Sequence, residues 1–126
     1  MSKPPDLIEP QKKRAQKWGR YGEFLARIRL MASGHRILAA NFKTKVGEID
    51  LITKKANTIG FVEVKARKTH EDAAYAVSEK QKQRIEHAAV AFMSHRPDLN
   101  NCDMRFDVAL VTGPLSIHIL YDAWRP

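Results

Sequence analysis

The chain has 126 residues, which suits one domain with one core. Its 22 Lys and Arg against 14 Asp and Glu leave a net charge of +8. With a pI near 9.8, an acidic partner is expected, and nucleic acid, DNA or RNA, is the common one. A single cysteine, Cys102, excludes an internal disulfide and a cysteine-rich zinc site.

The first ten residues, "MSKPPDLIEP", hold three prolines and little to bury, so residues 1–10 read as a flexible tail and 11–126 as one domain. They lack the apolar stretch of a signal peptide. No run is long and apolar enough to span a membrane, so a reducing, cytoplasmic compartment is expected. "QKKRAQKWGRYGEFLARIRLMASG" then predicts a helix, with Pro10 at its start and Gly34 at its stop. Trp18, Tyr21, Leu25, Ile28 and Ala32 recur at helical spacing and are expected to face the core. Lys12, Lys13, Arg14, Lys17 and Arg20 crowd the first turns and are candidates for phosphate contact.

Three strands are expected next. "RILAANF" (36–42) is mostly apolar. "GEIDLIT" (47–53) alternates, with Ile49, Leu51 and Thr53 on one face and Glu48, Asp50 and Ile52 on the other. "IGFVEVKA" (59–66) sets Val62 and Val64 against Phe61, Glu63 and Lys65. A second helix begins near Ser78, which with Gln81 makes a capping-box pattern; Ile85, Ala88, Ala89 and Phe92 form its inner stripe and Pro97 stops it. "MRFDVALV" (104–111) and "LSIHILY" (115–121) complete five strands, joined by a turn at Gly113-Pro114. The order predicts an α/β domain with one mixed sheet and helices packed on it.

Three charged residues, Asp50, Glu63 and Lys65, sit in the middle of runs that read as strands, where charge is expensive unless paired. A hairpin centred on the connection Lys54 to Ile59 places Asp50 opposite Glu63 and Glu48 opposite Lys65, with opposed side chains roughly 5 Å apart at Cβ. Two opposed carboxylates repel. A divalent cation between them reverses that sign, and Lys65 on the same face could orient a water or offset phosphate charge. The plainer reading is a charged edge hairpin kept soluble, with Glu48–Lys65 an ordinary cross-strand pair. The in-register Asp, the apolar opposite face and the basic chain together favour a metal-dependent phosphodiesterase.

Asp50, twelve residues, then Glu63-Val64-Lys65 resembles the PD-(D/E)xK nuclease motif. "GRYGEFLA" (19–26), "ILAANFK" (37–43), "GEIDLI" (47–52), "FVEVKAR" (61–67) and "RFDV" (105–108), in that order, resemble the YraN/UPF0102 family of small bacterial proteins. The resemblance implies a restriction-endonuclease-like fold, a central mixed five-stranded sheet flanked by helices, close to archaeal Holliday-junction resolvases. It implies a Mg²⁺- or Mn²⁺-dependent nuclease acting on structured or branched DNA. Glu23, Asp50, Glu63 and the carbonyl of Val64 would hold the metal, and Lys65 would assist the attacking water. Two symmetric cuts in a junction would call for a homodimer. Family members usually carry Arg where this chain has Lys43, a cation without the bidentate fork. The alternative function is a nucleic-acid-binding protein that keeps the fold without catalysis.

Gln81, Lys82 and Arg84 at the start of the second helix are further candidates for DNA contact. Asp107 is expected to play a structural part, paired with Arg105 or another base. Trp18, Phe24 and Phe92 are read as core, and Trp124 as packing against the first helix or at an oligomer contact.

Overall fold

The computed structural model describes residues 9–67 and 76–126, with the side chains of 9–19 excepted. Residues 1–8 of the proposed tail therefore lie outside the described residues, while Glu9 and Pro10 already belong to the first helix and not to a tail; the side chains of Lys12, Lys13, Arg14, Lys17 and Trp18 also lie outside the described residues. The elements run α1 (Glu9–Ala32), β1 (Arg36–Lys43), β2 (Glu48–Lys55), β3 (Thr58–Ala66), α2 (Glu79–Ser94), a 3₁₀ turn (Pro97–Leu99), β4 (Asp103–Gly113) and β5 (Ser116–Trp124). The five strands form one sheet in sequence order; β3 and β4 are parallel and every other neighbouring pair is antiparallel. This is the mixed α/β sheet that the order of elements predicts, consistent with a restriction-endonuclease-like fold. No helix among the described residues is long and apolar enough to cross a membrane.

The alternation of each strand divides the core. On one face Ile52, Phe61, Phe106 and Val108 pack against Ile85, Ala88, Ala89 and Phe92 of α2. On the other, Leu51, Val62 and Ala109 pack against Ala26 and Leu30 of α1. Ile49 departs from the expected alternation and joins the α2 side.

The inner face of α1 is not the one its periodicity suggests. Ala26 and Leu30 are buried, while Tyr21, Phe24 and Ile28 are exposed. Two apolar stripes run along this helix, and the sheet takes the one with smaller residues at its N-terminal half, because the helix lies close over Val64 and Val111 at Gly22. The helix ends as expected at Gly34, whose φ of +90° suits glycine. The amides of Gly34 and His35 close onto the carbonyls of Met31 and Leu30, a Schellman ending.

The capping box of α2 is present: Ser78 Oγ accepts from the Gln81 amide and Gln81 Oε1 from the Ser78 amide. Asp107, fully buried, takes two hydrogen bonds from Arg105 (2.8 and 3.2 Å) and one from the amide of Asp122 (2.9 Å). Those bonds hold the irregularity in the β4–β5 pairing, where Asp122 has a φ of +55°. Trp124 does not pack against α1; it stacks on Phe106 and donates through Nε1 to Glu86 of α2.

Candidate active site

The hairpin register follows the sequence expectation: Leu51 pairs with Val62, Ile52 with Phe61, and Lys54 with Ile59. The Leu51–Val62 rung is the last one paired. One residue further, where Asp50 and Glu63 would oppose each other, the backbone ladder gives way to a side chain. Asp50 Oδ2 accepts a 2.8 Å hydrogen bond from the amide of Val64. In a strand the amide and carbonyl of one residue share an edge. The Val64 carbonyl is therefore on the Asp50 side of β3, while the β4 pairing runs along the other edge.

Asp50 and Glu63 lie on the α2 side of the sheet. With Glu48 they line a cleft of about 110 Å³ whose other wall is Gln81, Arg84 and Ile85 of α2. Gly47 sets the distance between the walls. A side chain there would collide with the backbone carbonyl of Arg84, so only glycine lets β2 and α2 approach this closely.

The electrostatics are those of buried charge without full compensation. Burial pushes Asp50 up to about 6; the Val64 amide opposes that shift, and the charges of Glu23 and Glu48 add to it. Burial likewise pushes Glu63 up to about 7, with the charge of Asp50 reinforcing it and Lys65 opposing it. The sequence alone suggests that carboxylate repulsion would dominate; desolvation is the larger cause and repulsion the smaller. Lys65 Nζ sits 3.5 Å from Glu63 Oε1, both side chains being mostly buried.

The expected site residues are thus only partly brought together. Asp50, Glu63, Lys65 and the Val64 backbone meet at one end of the β2–β3 pair. Glu23, half-buried on α1, is near enough for its charge to act on Asp50. Gln81 and Arg84 line the cleft. Lys82 does not; its ammonium bonds Glu79 at 3.1 Å and lies 5.8 Å from the centre of the Trp124 ring. Lys43 and Arg20 are exposed, and Lys43 pairs across the β1–β2 ladder with Glu48. Glu48 faces the cleft and not Lys65, a third carboxylate that its spacing two residues before Asp50 could have revealed.

Among the described residues no three His, Cys, Asp or Glu side chains are gathered as a ready-made metal cage. Glu63 leans to Lys65 and Asp50 to the Val64 amide. The donors nevertheless fit a hard divalent cation that keeps most of its waters, since Mg²⁺ needs only one or two carboxylates and all the acidic groups here offer oxygen.

Residues 22–111 match the model of a family described as "Uncharacterised protein family UPF0102". Curated UPF0102 proteins are similar along most of their length. One from Bradyrhizobium sp. (strain ORS 278) is 46% identical over 109 residues, covering 86% of this chain and 77% of its own. One from Rhodopseudomonas palustris (strain HaA2) is 45% identical over 111 residues, covering 88% and 87%. One from Paramagnetospirillum magneticum (strain ATCC 700264 / AMB-1) is 40% identical over 115 residues, covering 88% and 89%. The matched span contains Glu23, Asp50, Glu63, Lys65 and the cleft wall of α2, and on this extent of similarity the chain belongs to the UPF0102 family.

Proposed function

We propose that this protein is a metal-dependent nuclease that hydrolyses phosphodiester bonds, with structured or branched DNA as its substrate. The observation that carries this reading is the meeting in one cleft of Asp50 and Glu63, two carboxylates that burial makes costly to ionise, with the Lys65 ammonium 3.5 Å from Glu63. A fold gains nothing in stability from that arrangement, so a ligand that needs it is the natural explanation.

Asp50, Glu63, the Val64 carbonyl and Glu23 are the groups that would hold Mg²⁺ or Mn²⁺. Such a cation, when bound, supplies Lewis-acid polarisation of the scissile phosphate. Lys65 stands beside Glu63 and would orient the attacking water or offset charge on the phosphate as it develops. Arg84, on the opposite wall, would grip a phosphate oxygen. Gln81 spends its carbonyl on the helix cap, which leaves its amide as a donor into the cleft. Lys43 and Arg20 are exposed cations suited to the flanking backbone.

The test is cleavage of single-stranded, duplex, flapped and four-way DNA in Mg²⁺, Mn²⁺ or EDTA, with the melting temperature followed in parallel. Cleavage that requires a metal, together with a metal-dependent rise in melting temperature lost in Asp50→Asn, is expected. Salt-dependent DNA binding with no cleavage of any substrate and no thermal shift would replace the nuclease with a non-catalytic binding protein.

A further inference from the structure

The turn between β1 and β2 stands beside the cleft and is tightly bonded. The β1–β2 ladder ends on the Lys43–Glu48 pair, which leaves Thr44 to Gly47 as the connection. Thr44 organises it. Its hydroxyl accepts from the amides of Val46 and Gly47 (both 3.1 Å) and donates to the Gly47 carbonyl (2.9 Å). Its own amide donates to the same carbonyl (2.8 Å). A threonine hydroxyl has one proton and two lone pairs, so its whole bonding capacity is used within the turn. Gly47 lies against the backbone of Arg84, and Glu48, the next residue, lines the cleft. The tip of the turn, Lys45 and Val46, is therefore held in place next to the opening.

Both tip residues are exposed, Val46 by 51%. Turns favour glycine, asparagine, aspartate, serine and proline, each for a backbone reason that valine does not share. Val46 belongs to neither core cluster. Lys45 forms no ion pair among the described residues.

We propose that the Thr44–Gly47 turn is a substrate-selecting element of the cleft. Lys45 takes a DNA phosphate near the scissile one, and Val46 covers a base or sugar face where a strand leaves the stack. The assignment rests on the nuclease reading and deepens it, by naming the residues that tell an interrupted duplex from a continuous one. Charge and place identify the occupant. Lys43 and Lys45 precede Gly47, and Arg84 abuts it from α2, a setting for a polyanion. Val46 is separated from Asp50 by no more than about 14 Å of chain. That is about four base steps of a duplex, so a strand with a phosphate in the cleft passes the tip. A continuous duplex keeps its base faces stacked and offers phosphates, sugars and groove edges. An apolar side chain gains most where the stack is broken.

The test is binding in EDTA, read apart from cleavage, of a labelled DNA with a single-stranded flap and of an unbranched duplex of equal length. Lys45→Ala should weaken both and lower the slope of log affinity against log salt by about one. Val46→Ser should weaken the flapped DNA about fivefold and leave the duplex unchanged within about twofold. Thr44→Val keeps the volume but frees the turn and should lose the preference for the flap, whereas Thr44→Ser keeps the hydroxyl and should retain it. Leu115→Ser, in the β4–β5 turn and 92% exposed, should bind as the parent does. The Lys45 and Val46 variants should melt with the parent, since both side chains are exposed. The proposal is overturned if Lys45→Ala and Val46→Ser bind both DNAs as the parent does, or if Val46→Ser weakens flap and duplex alike. A parent that cleaves flapped DNA while these variants bind it unchanged removes the turn and leaves the nuclease. A parent that shows the expected effects in EDTA and cleaves nothing with Mg²⁺ or Mn²⁺ removes the nuclease and leaves the turn as a DNA contact. A parent that binds neither DNA overturns both.

Discussion

Replacing Asp50 by Asn in metal-free protein removes one of two carboxylates that burial holds partly protonated. Asp50 is raised from 3.8 to about 6 and Glu63 from 4.5 to about 7. An acid whose pKa is raised in the folded state binds more protons folded than unfolded. Its contribution is therefore favourable below the unfolded pKa and is lost as pH rises through the folded one, here between about pH 4 and 7. At about 1.4 kcal/mol per pKa unit, ionising Asp50 costs the folded protein on the order of 3 kcal/mol. The two costs do not simply add, because each carboxylate is raised partly by the other. Asn keeps an acceptor for the Val64 amide but loses the stronger bond that a charged acceptor makes, so a net gain of about 1–3 kcal/mol is expected at pH 8.

The measurement is thermal melting of parent and Asp50→Asn in EDTA from pH 4 to 8. For a chain of this size the gain corresponds to a melting temperature roughly 5–10 °C higher at pH 8, shrinking towards zero at pH 4. Only the difference between the two chains is diagnostic. Burial holds the buried His35 below its ordinary pKa, and a lowered histidine contributes stability that is lost on acidification, the opposite sign in an overlapping range. That contribution is common to both chains and cancels. Equal melting temperatures at pH 8, or a gap that widens towards pH 4, would refute the claim that desolvation strains this site.

Three more outcomes are expected. Gly47→Ala should drive β2 and α2 apart, lowering stability by about 2 kcal/mol or more in urea melts and weakening any metal-dependent thermal shift, because the added carbon meets backbone and not a movable side chain. Lys65→Ala should reduce metal-dependent cleavage at least 100-fold while preserving the thermal shift with Mn²⁺, whereas Glu63→Ala should lose both; cleavage that survives both substitutions would expose a contaminant. Thr53→Val should leave stability unchanged or raise it by up to about 1 kcal/mol, since the buried Thr53 hydroxyl has no hydrogen-bond partner among the described residues; a clear loss in the same melts would reveal a bond to it through water.

The parts of this structure legible in the sequence are those decided locally. The hairpin register could be read because a two-residue turn between paired Lys55 and Thr58 leaves one way to align the strands. The α2 cap could be read because Ser78 and Gln81 satisfy each other without help from the rest of the chain. The Asp107–Arg105 pair could be read because two residues on one face of one strand are neighbours. Choices made between elements were not legible. Both stripes of α1 are apolar, and periodicity cannot say which one the sheet takes. Trp124 finds Phe106 and Glu86 only after β5 has paired with β4 and α2 has crossed over the sheet. In the candidate site, Asp50, Glu63 and Lys65 were legible as an in-register group. Glu48 was set aside as a pairing partner for Lys65, because the sequence does not show that the ladder stops before that rung.

The end of that ladder explains why the site forms where it does. β3 is the strand at which the sheet changes from antiparallel to parallel pairing. Its β4 edge stays bonded through Ala66, while its β2 edge is released after Val62. Over the last residues of β3 one edge is thus rigidly held and the other is open to side chains. Charged residues are tolerated at this point because the open edge supplies donors and acceptors that a continuous ladder would consume. The Asp50 carboxylate uses one of them, the Val64 amide. The chain then leaves β3 and returns as α2, whose N-terminal turns bring Gln81 and Arg84 over the same opening, against the bare Gly47. A crevice at the carboxyl ends of strands is a common place for a ligand in open α/β sheets. Here it combines acidic groups on the sheet with a cation on the helix. Charge reversal of Arg84 separates the two walls: if, as proposed, the helix wall meets phosphate and the sheet wall meets metal, Arg84→Glu should weaken DNA binding in EDTA at least tenfold while leaving the Mn²⁺ thermal shift intact or larger. If Arg84→Glu instead removes the thermal shift and leaves DNA affinity unchanged, the division of labour between the walls is wrong.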